Sequence, residues 1–368
     1  MSPPAISKLT SDSDFETFSA FIRSLVVDES PSNEDMLRIF NVFDQDKDGV
    51  LNKQETEQVN KKIVRTINHM RSSLIVVDFQ NDFVDGSLAI KASSIMNKGR
   101  AQQDPQEAIP LLNHLLSRHR DFDSVVYTMD WHPSNHISFY EHCRNQDRIM
   151  QKTDKSRKLK PFDVVTFEEP NCRQVLYPSH CVENSWGADL NASVRRVDGA
   201  KYVRKGTDIY VDAYSGFADN NGKIKSDLEN ILRDDRINTL FICGLALDIC
   251  VASTARDASK LKFFTCVIRD CCKGLSEEQI KRTCSELRSR NVPYVETHEV
   301  DQFLENRKIP WLWICQMVGL AKRQRRKNRK NGTTVDVELA TESPGTPHGT
   351  KQSLLPGVCH EVISMDAS

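Results

Sequence analysis

Thr239-Leu240-Phe241-Ile242-Cys243-Gly244-Leu245-Ala246-Leu247-Asp248-Ile249-Cys250-Val251 is the stretch on which the fold turns. Thr239–Ile242 is apolar and rich in β-branched or aromatic side chains, so it predicts a strand. After Gly244 the pattern changes, and Asp248–Lys260 has helical periodicity with Cys250 at its opening. A strand with no polar alternation is covered on both faces, which is the situation of a parallel sheet under helices.

Working outward, the same kind of run recurs at Leu74–Val77, Ser124–Tyr127, Tyr202–Val203, Phe263–Ile268 and Val292–Val295. Helical patterns over Pro105–Arg120, Lys225–Arg233 and Ser276–Arg290 separate several of them. The expected class is therefore α/β: a parallel sheet with helices on both faces, in three layers. It occupies residues 71–310, between a small all-helical region (1–70) and a basic, disordered tail (311–368). The Lys- and Asp-rich segment from Cys143 to Cys172 is expected to be a surface excursion.

Composition supports a soluble globular chain of 368 residues, with 39% hydrophobic and 27% charged residues. No run approaches the ~20 apolar residues of a membrane span. A net charge of −1 gives no sign of nucleic-acid binding. The eleven cysteines follow no repeated spacing and the start, MSPPAISKLTSDSDFETF, has no charged-then-apolar leader. Reduced thiols and a cytoplasmic location are expected. One local excess stands out. Lys322, Arg323, Arg325, Arg326, Lys327, Arg329 and Lys330 form a basic run, a candidate nuclear-import signal or, beside Trp311–Leu320, a patch for anionic lipid. A solvated tail explains it equally well.

In the first region Phe15, Phe18, Ile22 and Leu25, then Met36, Ile39, Phe40 and Phe43, recur at helical spacing. After them, residues 44–55 fill a twelve-residue EF-hand calcium template. Asp44, Asp46 and Asp48 stand at positions 1, 3 and 5, and Gly49 at the turn. Val50 offers a carbonyl, Asn52 acts directly or through water, and Glu55 closes the site as a bidentate ligand. An acidic surface turn is the bland alternative. Only one such loop is present, so it either binds weakly or packs on a degenerate partner built from Phe15–Leu25.

In open parallel sheets ligands bind beyond the carboxyl ends of the strands. The residues there are Asp78, the Asp130-Trp131-His132 step, Lys205 before Gly206, and Cys250. Four successive strands thus send a carboxylate, a metal-type pair, a lysine and a cysteine to one rim. The helix dipole and Lys205 are expected to favour the Cys250 thiolate, with Asp78 as its base. Asp130 and His132, two apart, share one side, and a distant His180 completes an Asp/His/His set for a divalent transition metal. His136, Glu141 and His142 are further ligand candidates. Each of these residues singly is more often structural; the convergence is what points to chemistry.

The chain resembles the isochorismatase-like cysteine hydrolases, and within them the nicotinamidases. The matching motifs are Val77-Asp78-Phe79-Gln80-Asn81-Asp82-Phe83, Asp130-Trp131-His132-Pro133 with His136-Ile137-Ser138-Phe139, Pro178-Ser179-His180-Cys181, Lys205-Gly206-Thr207-Asp208, Asp212-Ala213-Tyr214-Ser215-Gly216-Phe217 and Gly244–Val251. The resemblance implies a triad of Asp78, Lys205 and Cys250. It implies an oxyanion hole from the N–H groups of Ala246 and Cys250, shaped by a cis peptide between Leu245 and Ala246. It also implies a zinc, iron or manganese ion on Asp130, His132 and His180, with Glu141 at the spacing where some members add a fourth ligand. Phe83, Tyr177 and Tyr214 would line the ring of nicotinamide. The implied activity is amide hydrolysis through a thioester, giving nicotinate and ammonia for NAD salvage; a homo-oligomer is a candidate assembly.

Two departures stand against the family pattern: Tyr177 where Trp precedes Pro, and Asn184-Ser185 where a Gly-Thr pair is usual. Altered affinity is expected from them. Two competing readings keep the same residues. One is an amidase for N-carbamoyl or ureido compounds, disfavoured by the Asp/His/His set. The other is a calcium-dependent interaction protein with an inert core, disfavoured by the intact triad.

Overall fold

The protein is described from a computed structural model, which covers residues 4–27, 31–93 and 103–320. Its first region begins with a two-residue strand, β1 (Ser13–Asp14), that runs straight into a helix, Phe15–Ser24. Asp14 caps that helix by accepting from Thr17 N at 2.8 Å. A second helix, Asn33–Phe43, is capped by Ser32. After the acidic loop comes β2 (Val50–Leu51), then a helix from Lys53 whose start is a capping box of Asn52 and Glu55. β1 pairs antiparallel with β2, Ser13 opposite Leu51. Phe18 packs edge-on against Phe40 with centroids 5.4 Å apart, and lies 6.4 Å from Phe43. The Phe15–Ser24 helix thus packs on the helix that precedes the acidic loop, while β1 pairs with the two-residue strand inside the loop.

The second region contains β3 (Ser72–Val77), β4 (Ser124–Asp130), β5 (Ile149–Met150), β6 (Val164–Glu169), β7 (Cys172–Val175), β8 (Lys201–Lys205), β9 (Thr239–Leu245), β10 (Phe264–Lys273) and β11 (Tyr294–Val295). Six of these make one parallel sheet in the order β11-β10-β9-β3-β4-β8. Every residue of β3 and β9 is buried, as two covered faces require. The chain steps from β3 through β4 to β8, then returns to the other side of β3 with β9 and steps away again. The order reverses between β3 and β9, and the ends of strands flanking such a reversal open a crevice for ligands. Gly244 permits the tight fit there: at φ +124° its missing side chain would otherwise collide with the Val77 carbonyl.

Three features differ from expectation. The Cys143–Cys172 segment is not a loose excursion: β5, β6 and β7 form a small antiparallel sheet with its own core of Ile137, Cys143, Met150, Val165, Phe167 and Leu176. Its strands are short and carry polar residues on the outer face, which hid them among the charges. A helix at Thr297–Asn306 was not anticipated. Trp311–Met317, assigned on sequence to the tail, is a helix with Trp313 and Ile314 buried. Trp313 Nε1 donates to Thr265 O at 3.1 Å and its ring lies 5.8 Å from Phe241 of β9. Trp313, Ile314 and Val318 of this apolar run are buried against protein, and the basic run at 322–330 lies outside the described residues.

The short segment between this helix and Thr297–Asn306 also joins the two regions. Val26 bridges Ile309, Ile309 N donates to Leu25 O at 2.8 Å, and Arg307 Nη1 donates to Ile67 O at 3.2 Å. One apolar cluster accordingly runs from Phe18 and Ile63 to Trp313 and the sheet. Among the described residues no helix is long and apolar enough to cross a membrane.

Candidate active site

Asp78 ends β3 with a left-handed φ of +50°, an unfavourable conformation for a side-chain-bearing residue and a mark of a functional turn. Its Oδ1 accepts from Thr128 Oγ1 at 2.7 Å, and its Oδ2 stands 2.9 Å from Lys205 Nζ. Lys205, at the end of β8, is buried and donates to Ala213 O at 2.9 Å, to Asp130 Oδ1, and towards Cys250 Sγ at 3.5 Å. Cys250 lies in the wide helical turn Leu247–Val251 that follows β9, and the Leu245–Ala246 peptide is cis. One oxygen of Asp78, one of Asp130 and Cys250 Sγ all fall within 4.8 Å of each other. The three residues expected as a triad are thus in one buried cluster at the order reversal.

The electrostatics correct one expectation. Burial pushes the Cys250 thiol well above its ordinary pKa; Lys205 opposes this, but the Asp78 and Asp130 carboxylates reinforce it. Cys250 therefore rests as a thiol, and Lys205 does not suffice to ionise it. Asp78 shows the complementary shift. Burial raises its pKa to about 6 against the pull of Lys205, helped by the neighbouring Asp130 charge. A carboxylate of raised pKa beside a buried thiol is suited to accept its proton. Lys205 stays charged: the two carboxylates outweigh the burial that would lower it.

The metal-type residues also converge. Donor atoms of Asp130, His132 and His180 lie within 4.8 Å of one another, and all three residues are buried. His132 Nδ1 donates to Gly206 O at 2.8 Å, and His180 Nδ1 donates to Pro178 O at 2.8 Å. Each ring is thereby held at Nδ1, as in ligating histidines, which leaves Nε2 for the group; His132 Nε2 stands 3.7 Å from Asp130 Oδ2. Gly206, at φ +66°, has no Cβ because the His132 ring occupies that space. Burial raises Asp130 but Lys205 and the two histidines overcome it, keeping the carboxylate ionised. Burial and then the His132 charge lower His180 to about 4, so it is a neutral imidazole. An anionic oxygen and two oriented imidazole nitrogens fit a divalent transition metal.

Of the other ligand candidates, His136 forms a second close group with His132 and Asp212, one donor atom of each within 4.8 Å of the others. His136 stacks on His132 with centroids 4.1 Å apart, its Nδ1 2.7 Å from Ser138 Oγ and its Nε2 3.4 Å from Val211 O. Asp212, near both histidines, gives its oxygens to Gln174 Nε2 and Ala213 N, each bond near 2.9 Å or shorter. Glu141 is exposed and its Oε2 accepts from Ser179 N at 3.1 Å and Ser179 Oγ at 2.8 Å. It braces the loop before His180 rather than joining the Asp/His/His group. His142 lies 3.5 Å from Asn145 Nδ2. Of the aromatic residues, Phe83 and Tyr177 each have ring centroids 5.6 Å from His180, and the Tyr214 hydroxyl is buried. Phe139 lies 5.7 Å from His132 and 5.5 Å from His180.

Sequence reasoning missed Thr128 and Gln80. Thr128 orients Asp78, and Gln80 clamps the end of β4 by donating to Asp130 O at 2.7 Å and accepting from Asp130 N at 2.8 Å. Strand alternation offered one signal, since Thr128 is two residues before Asp130 and shares its face.

In the acidic loop, oxygens of Asp44, Asp46 and Asp48 lie within 4.8 Å of one another. Asp44 is 6% exposed, and its buried Oδ1 has no hydrogen-bond partner. Glu55 instead accepts from Gln45 N at 2.6 Å and Asn52 N at 3.0 Å, while Asn52 caps its helix. The structure thus brings the three aspartates together and leaves Asn52 and Glu55 in the capping box.

A buried Asp, Lys and Cys stand beside an Asp/His/His group at the strand ends of a doubly wound sheet, an arrangement suited to a hydrolase. The isochorismatase-domain model matches residues 72–299, and the chain belongs to that family. The nicotinamidase of Acinetobacter baylyi is 33% identical over 230 residues, 60% of this chain and 94% of its own. That of Saccharomyces cerevisiae is 32% identical over 232 residues, 61% of this chain and 99% of its own. Among solved structures, a nicotinamidase pyrazinamidase of Acinetobacter baumanii superposes with a TM-score of 0.53 at 30% identity, covering 63% of this chain and 98% of its own. The yeast nicotinamidase bound to the inhibitor nicotinaldehyde gives 0.50 at 28% identity, over 61% of this chain and 99% of its own.

Proposed function

We propose that this chain hydrolyses nicotinamide to nicotinate and ammonia through a thioester on Cys250. The single observation that carries the reading is the buried contact chain from Asp78 through Lys205 to Cys250, built on the same residues that hold the Asp/His/His group. Relatives matched across nearly their whole length are nicotinamidases, and a similar structure holds nicotinaldehyde.

Asp78 takes the Cys250 proton, and the thiolate attacks the carboxamide carbon. Lys205 balances the carboxylates as this negative charge moves. The N–H groups of Ala246 and Cys250 face the oxyanion, each donor of this kind contributing roughly 3–4 kcal/mol. Asp78 returns the proton to the leaving nitrogen, releasing ammonia and a thioester. It then takes a proton from water, which cleaves the thioester to nicotinate and frees the thiol. Phe83, Tyr177 and Tyr214 hold the ring. A zinc, iron or manganese ion bound by Asp130, His132 and His180 supplies, when present, a Lewis-acid contact for the pyridine nitrogen.

The acidic loop 44–55 binds calcium in this reading, supported by the buried Asp44 Oδ1 that has no hydrogen-bond partner and by the closeness of one oxygen each of Asp44, Asp46 and Asp48. Ammonia release from nicotinamide by the purified, metal-replete chain tests the main reading. Turnover of nicotinamide with none of N-carbamoyl substrates supports it, and the reverse pattern overturns it.

A further inference from the structure

Asp82 belongs to neither the triad nor the metal-type group, yet it is a carboxylate only 8% exposed. Its Oδ2 accepts from Cys181 N at 2.7 Å, and its Oδ1 accepts from Ser87 N at 3.0 Å. Two glycines close the cage. A Cβ on Gly86 or on Gly187 would overlap the carboxylate, so the backbone packs directly on its oxygens from both sides. The groups it joins are the informative part. Asp82 immediately precedes Phe83, and the N–H it holds is that of the peptide following His180.

Cys181 adopts a left-handed φ of +46°, which a side-chain-bearing residue keeps only where its surroundings hold it. Asp82 supplies that hold with a charge-assisted bond. The same loop is tied by Ser87 Oγ donating to Ser179 O at 2.7 Å and by Asn81 Nδ2 donating to Trp186 O at 2.7 Å. His180 Nδ1 meanwhile donates to Pro178 O, so the ring direction depends on the backbone on both sides of it.

We propose that Asp82 is a positioning residue that fixes the His180 loop against the Asp78–Phe83 turn and so sets the metal affinity of the Asp130, His132 and His180 group. The inference rests on the metal reading above. Losing one partner of this kind costs a metal site about 10–100-fold in affinity. Asp82→Asn keeps the shape of the side chain but turns an NH2 group towards one of the two N–H donors.

The experiment is zinc titration of the apo chain in competition with a chromophoric chelator, alongside thermal melting of the same apo protein. Asp82→Asn is expected to melt close to wild type in the apo form, to bind zinc about 10–100-fold more weakly, and to raise KM for nicotinamide more than it lowers kcat at saturating zinc. A folded Asp82→Asn chain whose zinc affinity stays within about twofold of wild type overturns the inference, because the outer-shell loss would then be missing. Gly187→Ala, which pushes the carboxylate away from Cys181 N–H, decides the matter if Asp82→Asn does not fold: the same loss supports the inference, and unchanged affinity overturns it. Wild-type apo protein that takes up no zinc overturns the metal reading itself, and the inference with it.

Discussion

The acidic loop and the hydrolase site are both clusters of charged side chains, built by opposite routes. Asp44, Asp46 and Asp48 come from consecutive turns of one loop, and two of them are exposed. Asp78, Asp130, His132, His180, Lys205 and Cys250 come from four strand ends and one loop, and all are buried. A local loop keeps its geometry from its own backbone, and two of its three aspartates meet water. A site assembled across a sheet removes its charges from water, so each must be offset by another. The two shifts that matter for chemistry, the raised carboxyl of Asp78 and the raised thiol of Cys250, arise only there.

The sharpest way to break the comparison is at the nucleophile. Cys250→Ala should lower ammonia release from nicotinamide by roughly 10⁴-fold or more while leaving the melting curve of the whole chain in place. Retained turnover would remove Cys250 from the reaction. Next in size is the joint between the regions. Trp313→Ala should destabilise the chain by about 3–5 kcal/mol, through the cavity it leaves against Phe241 and Phe264 of the sheet. Because one core spans both regions, the loss should appear as one shifted transition. Two separate transitions would show the regions to be independent.

A pH profile sharpens the electrostatic half. Asp78 must be ionised to accept a proton, and its pKa is raised to about 6. The value of kcat/KM should therefore hold above that pH and fall about tenfold per unit below it. A profile flat down to pH 4.5 would show that Asp78 is not the base. The smallest effect belongs to the loop. Calcium at about 100 times its dissociation constant should stabilise the chain by about 2.7 kcal/mol, and Asp44→Asn should remove most of that shift, measured by melting with and without calcium. An equal calcium shift in the variant would place the ion elsewhere.

The same contrast explains what was legible. Each strand of the main sheet was visible as an apolar run, and the residues after four of them did meet. Cys143–Cys172 was not legible as a small sheet, because short antiparallel strands with one wet face resemble a polar loop. Trp311–Met317 was mistaken for the start of a tail, since nothing local indicates that its apolar face closes on Thr265 and Phe241. Glu141 has the spacing of a ligand, but spacing says nothing of direction, and the fold turns it to Ser179.

By itself the sequence determined the class of fold, the twelve-residue loop and the identity of the side chains that gather at the strand ends. These depend on periodicity, on short spacings and on residue chemistry, all carried by neighbouring positions. Only the tertiary structure decided which charges face one another and how deeply they are buried. That is why the Cys250 thiol rests protonated, why Asp78 is poised near pH 6, and why Asp82 stands behind His180. A pKa or a ring orientation is a sum over groups distant in the chain, and the fold alone fixes their distances.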